Sequence, residues 1–317
     1  MVNSLLAPTP QKYPPIDADS SIVIVGQQVL GFHFSRMVEN EAGTILGEDI
    51  EALHDMRVAT RRMRTAANLF REDFNPNAFQ IIRKGLRKTG KRLGRVRDLD
   101  VLLENAQILY ESQPQNGKYL EPIIEHWLNE RQPVRRRMLV YLESEKYRSF
   151  KDHFHGFLNA TEAQIQRRND NPAARQKAPG WIHDHLENVR SYQQVLTNPS
   201  LRDLHTLRIA FKGLRYTIEF FYEILGQEVY SCIELLKTIQ DHLGEINDAR
   251  VALERLDAIL EPGNLRNDLH AAAAQYQAQQ QDQLANLIER FPATWNQFAG
   301  SEFEQNLNRA LSSLSKF

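Results

Sequence analysis

Apolar residues recur along this chain every three to four positions, and nowhere do apolar and polar residues alternate for long enough to form a strand. Leu53, Met56, Thr60, Met63, Ala67 and Phe70 fall on one helical arc, and Leu207, Phe211, Leu214, Ile218 and Phe221 fall on another. The pattern predicts an all-α chain. Ser20 or Ser21 caps a first helix that carries Ile22, Val25, Val29 and Phe32 and runs to about Asn40; Gly43 and Gly47 then mark a loop. Helices are expected over 50–74, ended by Asn75-Pro76, over 78–113, over 119–129 and over 134–168. The polar segment 169–180, with two prolines and a glycine, reads as a connector. Beyond it, helices are expected over 181–196, 201–225, 228–260, 265–291 and from 301 onward. Residues 1–19, with four prolines and no apolar signal segment, read as a flexible arm.

The polar faces of two of these helices repeat each other. LHDMRVATRRMRTAANLF from Leu53 and LHTLRIAFKGLRYTIEFF from Leu204 both carry His-x2-Arg-x3-Arg/Lys-x2-Arg. At about 100° per residue, His54, Arg57, Arg61 and Arg64 share an arc of roughly 80° beside the apolar one. His205, Arg208, Lys212 and Arg215 do the same, with Glu219 joining their row. The repeat continues downstream, where Leu93-Gly94 with Asp98 aligns with Leu243-Gly244 with Asp248. An offset near half the chain suggests an internal duplication: 20–168 and 181–317 as two helical halves related by a pseudo-twofold axis.

Composition sharpens this picture at one point. The 317 residues are 42% hydrophobic, enough for a sizeable core, and the formal net charge is only −1. That balance is local. Residues 54–97 carry 13 Lys/Arg against 3 Asp/Glu, whereas 218–317 carry 7 against 15. A field of about +10 over so short a stretch repels itself unless solvated or neutralised, so an anionic partner is expected. Cys232 is the only cysteine, which excludes an intramolecular disulfide and fits a reducing compartment; no apolar run approaches a membrane span. A soluble cytoplasmic protein is expected.

Lys84, Arg87, Lys88, Lys91 and Arg95 add a second basic face, opposite Ile82, Leu86, Leu93 and Val96. Neighbours on a helix face stand about 5–6 Å apart, which suits a polymer contacted at intervals better than one small phosphate. Asp98 and Asp248 are expected to pair with arginines and fix their rotamers. His54 and His205 occupy equivalent places and can donate to phosphate oxygens. His153 with His155, and His183 with His185, lack the i, i+4 spacing that presents two metal ligands together, so no metal site is expected. There is no Walker loop, no dinucleotide fingerprint and no serine elbow, and no cofactor is expected.

Taken together, HDMRVATRRMR, LGRVRDLDV, HTLRIAFKGLRY and LGEINDARV resemble the CHAD family, the conserved histidine α-helical domain, over roughly residues 20 to 310. The resemblance implies two four-helix bundles about a basic central groove that binds inorganic polyphosphate, without catalysis of its own. It implies that His54, Arg57, Arg61, Arg62, Arg64, Lys84, Arg87, Lys88, Lys91, Arg95, His205, Arg208, Lys212, Arg215 and Lys237 contribute to that groove. Association with polyphosphate granules, regulation of a polyphosphate-metabolising enzyme and protein targeting stay open as purposes of binding, and the acidic C-terminal half meeting the basic surface of a second copy in a dimer is a further alternative. The second half departs from the first: Gly213 stands where the first has Arg62, and only Lys237 and His242 stand where the first has a dense basic helix. Glu143-Ser144-Glu145-Lys146 misses the E-x-E-x-K spacing of the CYTH domain often fused to such modules, so a stand-alone module is expected.

Two other classes compete with a polyphosphate binder. A nucleic-acid-binding protein would use the same electrostatics, yet the basic rows carry few aromatics for base stacking, Tyr216 being the main exception. An enzyme that cleaves or transfers phosphate would use His54 or His205 directly.

Overall fold

The structure, a computed structural model, describes residues 12–112, 117–167, 170–261 and 266–314. It is all-α, and the described residues contain no strand. The helices are α1 (Ile22–Glu39), α2 (Glu41–Leu46), α3 (Ile50–Leu69), α4 (Pro76–Ser112), α5 (Glu121–Leu142), α6 (Glu145–Leu158) and α7 (Glu162–Ile165). They continue with α8 (Ala174–Arg190), α9 (Leu201–Phe220), α10 (Tyr222–Leu225), α11 (Tyr230–Leu260), α12 (Asn267–Ala299) and α13 (Ser301–Leu314).

Local chemistry starts the long helices. Ser21 Oγ accepts from the Ile24 N–H at the head of α1, and the Asp49 carboxylate accepts from Glu51 N–H at 2.8 Å at the head of α3. Ser200 and Asp203 exchange bonds in a capping box that opens α9. Gly47 ends α2 at φ +74°, a conformation that a Cβ disfavours. The expected loop at 43–47 is therefore a short helix closed by that glycine.

Three expectations about punctuation fail for one reason: burial on both sides of a proline outweighs its missing N–H. α5 runs through Pro133, holding Ile123 and Trp127 before it and Met138, Tyr141 and Leu142 after it in the interior. The break comes instead at Glu143-Ser144, where Ser144 caps α6. α12 passes Pro292 to bury Trp295 and Phe298. α8 begins inside the segment read as a connector, since Ala174, Ala178, Ile182, Leu186 and Val189 are buried at helical spacing across Pro179. That connector is stitched to α1 through Ile22 N–H to Pro172 O and Ala174 N–H to Ser20 O, each 2.9 Å. Of the proline-bearing arm, residues 1–11 lie outside the described residues, whereas Tyr13 is buried and stacks on Tyr222 with ring centroids 4.0 Å apart.

α3 packs on α1 and α4, and α9 packs on α8 and α11. α3 and α9 also touch each other. Buried apolar side chains form a main core that takes in both repeated helices and a second one from α4, α5, α11 and α12 around Trp127 and Tyr276. Each core draws on helices from before and after the connector. α3, α4, α9 and α11 consequently converge on one place, the site described next.

Candidate anion-binding cleft

Burial of Leu53, Met56 and Met63 turns α3 so that His54, Arg57 and Arg61 face away from the core. Burial of Leu204, Leu207, Phe211 and Leu214 does the same for Arg208, Lys212 and Arg215 on α9. Both rows face one cleft of about 400 Å³. Arg97, Asp98, Val101 and Leu102 of α4 line it, together with Gln240, Asp241, Gly244, Glu245, Asn247, Asp248 and Val251 of α11. The α3 row then continues along α4. A Cβ at Gly94 would stand 3.6 Å from Arg57 Nε, and one at Gly90 would stand 3.4 Å from the Arg64 side chain. Without side chains at those turns of α4, the α3 arginines lie across it. The seam opens into a second hollow of about 290 Å³, lined by Arg64, Gln80, Arg83, Lys84 and Arg87 among others.

Charge is crowded and partly dry in the central cleft. Arg57 lies 3.3 Å from Asp98, whose carboxyl is raised above its ordinary range by burial, against the pull of that arginine. Burial draws Arg57 and Arg208 below the usual arginine range. Lys212 is pushed down to about 6, first by burial and then by Arg61, Arg208 and Arg57. His54 is lowered by burial and by Arg97, which favours its neutral ring. The Nε atoms of Arg61 and Arg208 are buried and have no acceptor among the described residues. Such donors are costly to bury unpaired and suit an anion that brings its own oxygens.

The CHAD domain family model matches residues 28–257, well over half of the chain. The chain belongs to the CHAD family. The match is narrower than the span of about 20 to 310 that the motifs suggested. The CHAD domain crystal structure from the plant Ricinus communis superposes with a TM-score of 0.74 at 23% identity, covering 91% of this chain and 96% of that one. PptA from Streptomyces chartreusis gives a TM-score of 0.66 at 13% identity, covering 87% and 100%. In sequence, an uncharacterised protein of Mycobacterium tuberculosis is 28% identical over 217 residues, which is 65% of this chain and 40% of that protein. The chain therefore spans less than half the length of the curated relatives it matches.

Within this CHAD fold the residues expected at the groove separate into groups. His54, Arg57, Arg61, Arg208, Lys212 and Arg215 meet in the central cleft, while Arg64, Lys84 and Arg87 line the second hollow. Lys88, Lys91 and Arg95 are exposed on α4, with Lys88 Nζ 4.9 Å from the centre of the Tyr141 ring. Arg62 lies outside the cleft lining and pairs with Glu219 at 2.8 Å. Lys237 pairs with Glu234 at 2.5 Å, and His242 bonds Thr294 Oγ1 and Leu287 O, so neither joins the cleft lining. His205 lines a neighbouring cavity of about 510 Å³ with Arg202 and Arg250, and its Nδ1 lies 2.9 Å from Asn247 Oδ1. Asp98 holds Arg57 as expected, whereas Asp248 accepts from Asn247 Nδ2 and acts on Arg57, Arg208 and Lys212 through its field.

The sequence reading missed Arg97, Gln240, Asp241, Glu245 and Asn247. The downstream repeat contained a signal for two of them: Arg97 and Asn247 occupy equal positions in LGRVRD and LGEIND. Arg97 bears on His54, and Asn247 bonds His205.

Proposed function

We propose that this protein binds inorganic polyphosphate in the central cleft and along the α3/α4 seam, and that it does so without chemistry on the polymer. The family is associated with polyphosphate binding. The observation that carries the reading to this chain is the convergence of Arg57 and Arg61 from α3 with Arg208 and Lys212 from α9 on one cleft. Arg61 and Arg208 keep buried donors there that have no partner among the described residues. Guanidinium forks match phosphate oxygens, and each good contact contributes about 1.5–3 kcal/mol before ordering costs.

Polymeric phosphate is favoured over a single phosphate because the cations do not stop at the cleft. They continue past Gly94 and Gly90 to Arg64, Lys84 and Arg87. Nucleic acid is disfavoured, since Tyr216, the aromatic ring beside Arg61, Arg62 and Arg215, is fully buried and offers no face to a base. The carboxylates Asp241, Glu245 and Asp248 make the α11 wall less cationic than the α3 wall, so the polymer tracks along α3 and α4.

Calorimetric titration with long-chain polyphosphate tests the reading, comparing the native chain with Arg57→Ala/Arg61→Ala/Arg208→Ala at two salt concentrations and with RNA as competitor. Binding that is salt-sensitive, resistant to RNA and lost in the variant is expected. Binding indifferent to those arginines would overturn it.

A further inference from the structure

Lys212 is the one lysine among the described residues that line the cleft, whose other cationic walls are guanidinium groups and a histidine. Like Arg61 and Arg208 it has no ion pair and no side-chain hydrogen bond among the described residues, and it lines the same wall as Arg208 and Arg215 and lies in the field of Arg57 and Arg61 of α3. The exposed lysines of α4, by contrast, face water. An amine that borders a set of guanidinium groups is placed beside whatever anion those groups hold. A phosphate seated on Arg61 and Arg208 would put the atoms attached to it within reach of Lys212, which follows Arg208 by one turn of α9.

We propose that Lys212 is an acylation site for acyl phosphates, the mixed anhydrides of carboxylic and phosphoric acid, with the arginines of the cleft holding the phosphoryl half of the reagent. The inference rests on the reading of the cleft as a phosphate site and adds a covalent consequence to it. The amine lone pair attacks the carbonyl carbon, and an amide bond forms. The bond from that carbon to the bridging oxygen breaks, and the phosphate leaves carrying the proton lost by the amine. No oxidant, reductant or further reactant is required.

The electrostatic setting supplies a free amine at neutral pH. Burial and the cations Arg57, Arg61 and Arg208 bring Lys212 down to about 6, whereas an ordinary lysine holds its proton to about 10.5. The titratable groups that share the cleft lining with it are His54, Arg57 and Arg61 from α3, and Arg208 and Arg215 from its own helix. From α4 and α11, Arg97 adds to the cations, while Asp98, Asp241, Glu245 and Asp248 oppose them. Acylation removes for good the charge this amine would take up beside a polyanion.

The test exposes the intact protein to acetyl phosphate and, separately, to the uncharged donor p-nitrophenyl acetate. Acetylation of each lysine is read by peptide mass spectrometry from pH 5 to pH 9. With acetyl phosphate, Lys212 is expected to react on the order of ten-fold faster than Lys84, Lys88 or Lys146 at neutral pH. Its rate should rise through about pH 6 and level off, while theirs keep climbing. Excess polyphosphate should protect it, and Arg208→Gln should slow it. Equal labelling of all lysines would overturn the proposal, as would a Lys212 preference that is the same for both donors. Polyphosphate binding is titrated on the same preparation, so the two readings fail separately. Polyphosphate bound with no preferential acetylation sinks only the acylation. Rapid acetylation at Lys212 without polyphosphate binding sinks only the polymer.

Discussion

Arg62 places a guanidinium nitrogen 2.8 Å from the buried carboxylate of Glu219, an ion pair that ties α3 to α9 with the arginine itself partly exposed. Arg215 also approaches Glu219, at 3.8 Å, and Arg61, Arg62 and Arg215 surround the buried ring of Tyr216. The pair occupies positions at which the two repeats diverge. Gly213 stands at the place of Arg62 in the second copy, and Asn68 stands at the place of Glu219 in the first. Two departures from the sequence repeat thus complete each other, and Arg62 is spent on the contact between α3 and α9.

Arg62→Ala is therefore expected to cost stability more than affinity. It removes the nearer of two guanidinium partners of a carboxylate that is only 2% exposed, leaving Arg215 at 3.8 Å, a loss of about 1–3 kcal/mol, readable as a fall in the denaturant midpoint at unchanged m-value. Native-like stability together with lost polyphosphate binding would show that Arg62 is a ligand contact.

Arg61→Ala and Arg208→Ala should have the opposite profile. Each is expected to weaken polyphosphate binding roughly ten-fold, about 1.4 kcal/mol, while changing the unfolding midpoint little. Lys237→Ala, which removes the partner of Glu234 outside the cleft, should leave affinity within about two-fold.

Chain length discriminates the cleft from the seam. Lys84→Ala/Arg87→Ala removes two cations from the second hollow, so affinity should fall for long chains and hold for tripolyphosphate seated in the central cleft. Equal loss for both would mean that the hollow is not a separate contact.

Lys212 sets a pH dependence of known sign. It is charged in the unfolded chain up to about 10.5 and neutral in the folded chain above about 6. Between those values the unfolded state holds the extra proton, so this residue makes stability rise with pH across the window. Lys212→Met is expected to stabilise the fold by about 1–2 kcal/mol near pH 6.5 and by clearly less at pH 10. Thermal unfolding at the two pH values measures the difference, and a variant equally stabilised at both would show that the amine is not held neutral.

Gly26 tests the packing of α1 against the first repeated helix. A Cβ there would stand 2.7 Å from Phe74 Cζ and 2.8 Å from Phe70 Cδ1, atoms of fully buried rings. Gly26→Ala should therefore destabilise by about 1–3 kcal/mol in denaturant unfolding, despite the better helix propensity of alanine.

How far the chain could be read in advance follows from the range of each signal. Ser21 was legible as a cap because a cap is satisfied within three residues of itself, and Asp49 and Ser200 carry the same local signal although they were not singled out in advance. Pro133, Pro179 and Pro292 misled because the burial that carries a helix through them comes from partners far along the chain. At the site, His54, Arg57, Arg61, Arg208, Lys212 and Arg215 emerged from periodicity and repetition alone. Arg62 was grouped with them through the family resemblance, yet it lies one residue, 100° of helix, from Arg61, enough to turn it toward Glu219.

By itself, the sequence determined that the chain is helical, where the two cationic rows lie, and which side of each row faces the core. Those properties depend on the 3.6-residue period, which every helix carries within its own residues. Only the tertiary structure decided that both rows border a single cleft, that Lys237 and His242 are engaged elsewhere, and that α11 lines the cleft with Asp241, Glu245 and Asp248. The face that α11 presents is selected by its packing between α9 and α12, through contacts across many tens of residues.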